Sequence, residues 1–215
     1  MSRDLYELPI GWALGTIPDL IGDGIFTDGD WIESKDQDPH GNIRLVQLAD
    51  VGDGYFIDKS SRYLNAETAD RLNCTFLQKD DVLVARMPEP LGRACLFPAT
   101  EQKAVTVVDV CVIRGKPENF NPKWLMHFIN SSEFRGDIAA LQSGSTRKRI
   151  SRGNLSTIEL PIPPRKEQDR IAEKIEVLLS DLDQGVAELK TAQEKLTQYR
   201  QTLLKSAVEG SLTKE

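Results

Sequence analysis

The chain has 215 residues, 40% of them hydrophobic, and a formal net charge of −6. That apolar share supports a packed core and excludes a disordered chain. The negative balance excludes indiscriminate binding of polyanions but leaves room for one basic face. No apolar run is long enough to span a membrane and the first residues form no apolar leader, so the expected location is the cytoplasm.

In chain order, the segment 8–12 (Leu8-Pro9-Ile10-Gly11-Trp12) reads as a turn whose tryptophan plugs the first core layer. The stretch 23–30, DGIFTDGD, reads as loop. Residues 43–48 (IRLVQL) are strand-like, and a turn leads from them to Tyr55-Phe56-Ile57. Asn65 is an N-cap for a helix over 66–72. Strands are predicted at 82–85 and 94–97, paired across the loop Met-Pro-Glu-Pro-Leu-Gly, and at 104–114, where β-branched residues dominate. Asn121-Pro122 opens an amphipathic helix with Leu125, Phe128, Ile129, Ile138 and Leu141 on its buried side. A polar loop fills 141–152, a last strand 155–162, and Pro161, Pro163 and Pro164 make a stiff hinge.

The most regular pattern follows that hinge. Ile175, Leu182, Leu189, Leu196 and Leu203 recur every seven residues, with Leu178, Ala192 and Tyr199 three positions after members of the row. This predicts one long helix over 165–210, interrupted inside only by Gly185, whose apolar seam needs a partner helix. At 1.5 Å per residue such a helix runs roughly 65 Å, a strut rather than an ordinary globular helix. The expected class is therefore α+β: a mixed α/β head over 1–160, a hinge at 161–164, and a long helix over 165–215 that forms an antiparallel coiled coil.

The seam comprises Ile175, Leu178, Leu182, Leu189, Leu196, Tyr199 and Leu203. A lone helix would leave this wide apolar stripe exposed, so self-association is expected. The three cysteines are scattered without a C-x-x-C and read as buried thiols of a reducing compartment. His40 and His127 are the only histidines, and no nucleophile–base pair, P-loop or glycine-rich nucleotide turn is visible. Pro18-Asp19 with Glu33-Ser34-Lys35 matches a metal-nuclease pattern in its letters, and that reading is kept as the alternative. Its chemistry needs Asp19 and Glu33 to share a divalent ion at adjacent strand ends, with Lys35 beside them. Asp23, Asp28 and Asp30 do not meet the spacing of a calcium loop. The residues point to binding rather than catalysis, with no metal expected.

Charge is segregated. Between Asp19 and Asp58 there are ten carboxylates and two basic residues, whereas Arg147, Lys148, Arg149 and Arg152 put four cations into six positions. Arg86 and Arg93 bracket the Pro-Gly loop. Small residues ahead of the basic run, Gly144, Ser145 and Thr146, let a backbone approach phosphate closely, and arginine can be bidentate to phosphate or to a guanine edge. The expected DNA contacts are Arg86, Arg93, Ser145, Thr146, Arg147, Lys148, Arg149 and Arg152.

Several of these elements together resemble one family. Leu8-Pro9-x-Gly11-Trp12, the Gly-Ser-Thr loop ahead of Ile150, Leu160-Pro-Ile-Pro-Pro-x-x-Glu167-Gln168, and the closing Arg200-Gln-x-Leu-Leu-Lys205-x-Ala-x-Glu-Gly-x-Leu212 look like the specificity subunit of type I restriction–modification systems. The resemblance spans essentially the whole chain. It implies a target recognition domain followed by a helical spacer, with no catalytic activity of its own. It further implies double-stranded DNA as ligand and methyltransferase (M) and restriction (R) subunits as partners, with S-adenosylmethionine bound only by M. A full specificity subunit holds two such units, each reading part of a split site, and this sequence contains one: a natural half-subunit or an expressed half. Base-reading residues do not carry over by match, because recognition domains differ freely among members.

Overall fold

The computed structural model describes residues 8–88, 90–144 and 148–213. Contacts divide the chain into two compact units, Met1–Arg170 and Ile171–Glu215. Among the described residues no helix is long and apolar enough to cross a membrane.

The head is built on small sheets. Strand β1 (Ala13–Gly15) pairs antiparallel with β9 (Leu160–Ile162), joining the two ends of the head. A four-stranded antiparallel sheet has the order β2 (Ile25–Asp28), β8 (Val110–Arg114), β5 (Val82–Ala85), β6 (Ala94–Leu96). A three-stranded sheet places β3 (Ile43–Val46) between β4 (Tyr63–Leu64), antiparallel, and β7 (Ala104–Thr106), parallel. The main core joins these sheets: Val46 and Ala104 meet Leu83, Ala85, Cys95, Val110 and Val112. A second cluster packs Ile43, Leu45, Leu64 and Val105 against Ala69 of helix α2 (Ala66–Arg71), which follows α1 (Ile17–Ile21). All of β5 is buried, because its second face is covered by α3 (Pro122–Ile129). This is the Val-Leu-Val-Ala run expected of a strand covered on both sides.

Local chemistry sets the helix starts. Asn65 and Asn121 accept from the backbone amides of Thr68 and Trp124. Ser131 and Ser151 do the same for α4 (Ser132–Leu141) and α5 (Arg152–Ser156). Each cap satisfies a donor the helix cannot. The long helix α6 runs Arg165–Val208.

Five sequence expectations need correction. The supposed loop 23–30 contains β2, held by β8; Gly24 lets it enter, since a Cβ there would lie 2.2 Å from the Arg114 carbonyl oxygen. The strand predicted over 104–114 is two strands in different sheets, split by a turn in which Val110 N–H donates to Val107 O at 2.9 Å. The helix predicted from Asn121 breaks into α3 and α4 at Asn130, whose side-chain amide bonds both backbone groups of Ala94 at 2.9 and 2.8 Å, and Ser131 caps a new start. Leu141, predicted on the buried side, is exposed. The last strand is only β9, since α5 occupies the earlier part of 155–162.

The first turn of α6 belongs to the head. Trp12, half-buried, donates from Nε1 to Glu167 Oε2 at 3.0 Å. Gln168 is buried: its Oε1 accepts from Asn121 N–H at 2.9 Å, and its Nε2 donates to Asn119 O at 3.2 Å and Pro163 O at 3.0 Å. Asp169 accepts from Asn121 Nδ2 at 2.6 Å and from Arg165, and these two bonds hold its carboxyl below the usual carboxylate range. Of the residues carrying the family resemblance at the two ends of the head, Trp12 thus meets Glu167, and Gln168 fastens the same turn to Asn119 and Asn121.

Candidate nucleic-acid interface

The two cationic loops singled out from the sequence lie side by side. The β5–β6 hairpin closes through Ala85 N–H to Arg93 O and Gly92 N–H to Ala85 O, both 2.8 Å. Gly92 has φ +79°, and a Cβ there would fall 2.4 Å from Ile138 Cδ1, so α4 leaves room only for glycine. The second loop is cinched by Ser143 and Arg149, whose backbones exchange two 2.8 Å hydrogen bonds. Ile150 N–H then donates to Arg86 O at 3.2 Å, which fixes the second loop against the first.

Arg86 stitches this junction. Its Nη2 donates to Val108 O at 2.5 Å, its Nη1 reaches Ile150 O at 3.5 Å, and its Nε lies 3.3 Å from Asp28 Oδ1. The Nε–Asp28 contact is an ion pair without hydrogen-bond geometry, since that nitrogen has no bond partner. Arg152, half-exposed at the start of α5, donates from Nη1 to Phe26 O at 2.9 Å and sits 3.7 Å from Asp28 Oδ2. Asp28 therefore stands between two arginines from different loops, an organising role the sequence did not signal because β2 was read as loop.

Lys148 and Arg149 are exposed, and no ion-pair partner is seen for either among the described residues. Ser145, Thr146 and Arg147 lie outside the described residues. Arg93 is a correction. It is 7% exposed, and its guanidinium is consumed by carbonyls: Nε to Val51 O at 2.5 Å, Nη1 to Pro90 O at 3.0 Å and Nη2 to Leu48 O at 2.7 Å. Burial also draws its pKa down. A guanidinium buried and engaged in this way ties the hairpin to the 48–51 turn instead of facing solvent.

The carboxylates of the nuclease reading are engaged elsewhere. Asp19 completes the capping box of α1 with Thr16, whose hydroxyl donates at 2.7 Å and holds the carboxyl below its ordinary range. Glu33 pairs with Lys35 at 2.5 Å on a separate 3-10 turn. Asp23 pairs with Lys116 at 2.6 Å, and Asp30 accepts from Thr75 N–H at 3.0 Å. Among the described residues no group of three His, Cys, Asp or Glu is placed to hold a metal ion. Cys95 and Cys111 are buried and Cys74 is half-buried, all free thiols; burial pushes the Cys95 thiol up to about 12.

On α6, taken by itself, the seam is open. Leu178, Leu182, Leu189, Leu196, Tyr199 and Leu203 are exposed, Leu189 by 72% and Leu196 by 69%, and Ile175 is half-buried. A long unpaired heptad row of this kind is the surface of a helix that packs on another helix.

These features define a mixed α/β head followed by a coiled-coil-type helix. Residues 22–196 match the family described as the type I restriction modification DNA specificity domain. The chain belongs to that family. It is 37% identical over 99 residues to the type I restriction enzyme StySPI specificity subunit of Salmonella potsdam, covering 46% of this chain and 21% of that one. It is 36% identical over 92 residues to the EcoKI specificity subunit of Escherichia coli strain K12, covering 43% and 20%. The HsdS subunit from Thermoanaerobacter tengcongensis superposes with a TM-score of 0.65 at 20% identity, over 95% of this chain and 46% of that one. A chain from a structure of complex assembly and conformational transition in the type I R-M system gives 0.66 at 22%, over 95% and 47%. The matched parts thus span about a fifth of these two curated relatives and just under half of these two solved chains.

Proposed function

We propose that this chain is the sequence-reading component of a type I restriction–modification complex, placing partner methyltransferase and restriction subunits on a split double-stranded DNA site. The observation that carries the reading is the family membership, which extends from the head into the long helix. The convergence of the two cationic loops supports a DNA face at their junction. In this reading Lys148, Arg149 and Arg152, and their sequence neighbour Arg147, reach phosphates or base edges, while Arg86 and Asp28 set the platform beneath. The chain binds no cofactor; the methyl donor S-adenosylmethionine belongs to the methyltransferase partner. The seam of α6 pairs with the same helix of a second copy.

Fluorescence anisotropy of the complex assembled with the methyltransferase subunit, titrated at several salt concentrations, tests the face. Arg149→Ala is expected either to weaken binding to all sequences and lower the salt slope by about one, or to cost about 1–3 kcal/mol and relax one position of the target. Arg93→Ala is expected to lower the melting temperature of the head through its orphaned carbonyls while leaving the salt slope unchanged. If Arg149→Ala, Lys148→Ala and Arg152→Ala all leave affinity, slope and target unaltered, the DNA face lies elsewhere.

A further inference from the structure

We infer that two copies of α6 pair antiparallel in one register, centred between Lys190 and Thr191; the inference rests on the self-pairing proposed above. The seam has two unlike rows. One is uniformly large: Ile175, Leu182, Leu189, Leu196 and Leu203. The other is uneven: Leu178, Gly185, Ala192, Tyr199 and Ser206. Around Gly185 the chain itself leaves open space, with nothing within 4 Å of a built Cβ. In a parallel pair each row meets itself, so Gly185 faces Gly185, Ala192 faces Ala192 and Tyr199 faces Tyr199, leaving voids beside crowded layers. In an antiparallel pair each row meets the other, and a large side chain fills every small position.

Centring the pair between Lys190 and Thr191 matches all five layers of one row with all five of the other. Leu196 then fills the space at Gly185, Leu189 packs on Ala192, Leu182 on Tyr199, Leu203 on Leu178 and Ile175 on Ser206. A shift of one heptad either way leaves a layer at each end without its partner.

Charge beside the seam selects the same register. Glu188 and Lys195 occupy the flanking row that meets its own copy in an antiparallel pair. Within its own chain Glu188 accepts from Gln184 Nε2 at 2.9 Å. In the centred register each Glu188 lies beside the other copy's Lys195, twice by symmetry. Shifting one heptad in one direction brings Glu188 against Glu188, although Asp181 then lies beside Lys195; shifting in the other brings Lys195 against Lys195. The parallel arrangement sets Lys195 beside Arg200. Of these registers, the centred one alone fills all five layers without setting like charges together in this row.

Disulfide mapping reads the register directly, because the substituted positions are exposed and the helix does not depend on them. Chains carrying Ala192→Cys are mixed with chains carrying Leu189→Cys, Leu182→Cys or Leu196→Cys, or left alone, and mildly oxidised. The first mixture reports the centred register, the second and third the one-heptad shifts, and the last the parallel pair; the wild-type chain sets the background of its own thiols. Cross-linked dimer in the Leu189→Cys mixture is expected to exceed each other mixture at least tenfold. Glu188→Lys is expected to raise the dimer dissociation constant roughly threefold to tenfold by turning two attractions into repulsions, and Lys195→Glu on the same chain to reverse that rise. If light scattering finds a dimer but another mixture cross-links best, or the charge reversal fails to compensate, the register is wrong while the pairing stands. A chain that scatters as a monomer at micromolar concentration, alone and with its methyltransferase partner, overturns both.

Discussion

Arg114→Met is expected to destabilise the head by about 3–5 kcal/mol, the cost of leaving a buried charge without its partner. Asp81 has no solvent exposure at all. Its Oδ1 accepts from Arg114 Nε and its Oδ2 from Arg114 Nη2, both at 2.6 Å, and Oδ2 also takes the Gln78 amide at 2.8 Å. Arg114 donates onward to Phe76 O at 3.0 Å. The pair joins the start of β5 to the end of β8, the two central strands of the larger sheet. Lysine at 114 keeps the charge but cannot reproduce the fork, so Arg114→Lys is expected to fall between wild type and Arg114→Met. Urea unfolding of the whole chain measures both. A loss below about 1 kcal/mol for Arg114→Met would mean that the carboxylate finds water or another donor.

Leu189→Asp combined with Leu196→Asp is expected to weaken self-association by at least roughly a thousandfold, since each buried leucine contributes about 1.5–3 kcal/mol and tenfold in affinity is about 1.4 kcal/mol. Burying an unpaired carboxylate in place of each adds to the loss. Both side chains are exposed in the single chain, so the substitutions should leave the helical circular dichroism signal near that of an isolated α6. Sedimentation or light scattering over a concentration series reads the effect. A double variant that still dimerises at micromolar concentration would remove these leucines from the contact.

The features legible in the sequence were those written in one local pattern. The heptad row announced α6 because its period does not depend on anything else in the molecule. Asn65 and Asn121 announced helix starts because a cap acts within three residues. What stayed hidden depends on distant partners. The chain 104–114 reads as one strand, yet β7 is claimed by β3 and β8 by β5, and the turn between them is set by which sheet each half joins. The break between α3 and α4 falls where Asn130 finds the Ala94 backbone, thirty-six residues away. Strand β2 hid between glycines and aspartates because its pairing is supplied by β8.

The same limit governs the candidate DNA face. Arg93 and Arg149 are the same letter in similar loops. Only packing separates a guanidinium surrounded by carbonyls from one that faces solvent. Asp28 gave no signal as a site residue, because its role comes from Arg86 and Arg152, which the fold brings to it. The family resemblance was legible for a different reason. Trp12 and Glu167 bond across the ends of the head and Gln168 locks the same turn to Asn119 and Asn121, so their spacing records how the head closes rather than what it reads.

The central claim, that this chain selects the DNA sequence at which a methyltransferase acts, is tested most directly by mapping methylated bases genome-wide. The map is made in cells supplying the methyltransferase subunit with this chain as the sole specificity chain. Under the proposed self-pairing, two identical heads held antiparallel would read the same half-site in opposite orientations. The predicted result is modification confined to one interrupted palindrome, lost when the chain is omitted. Modification that does not depend on the chain would contradict the claim of sequence selection, and a chain-dependent but asymmetric site would contradict its reading by two identical heads.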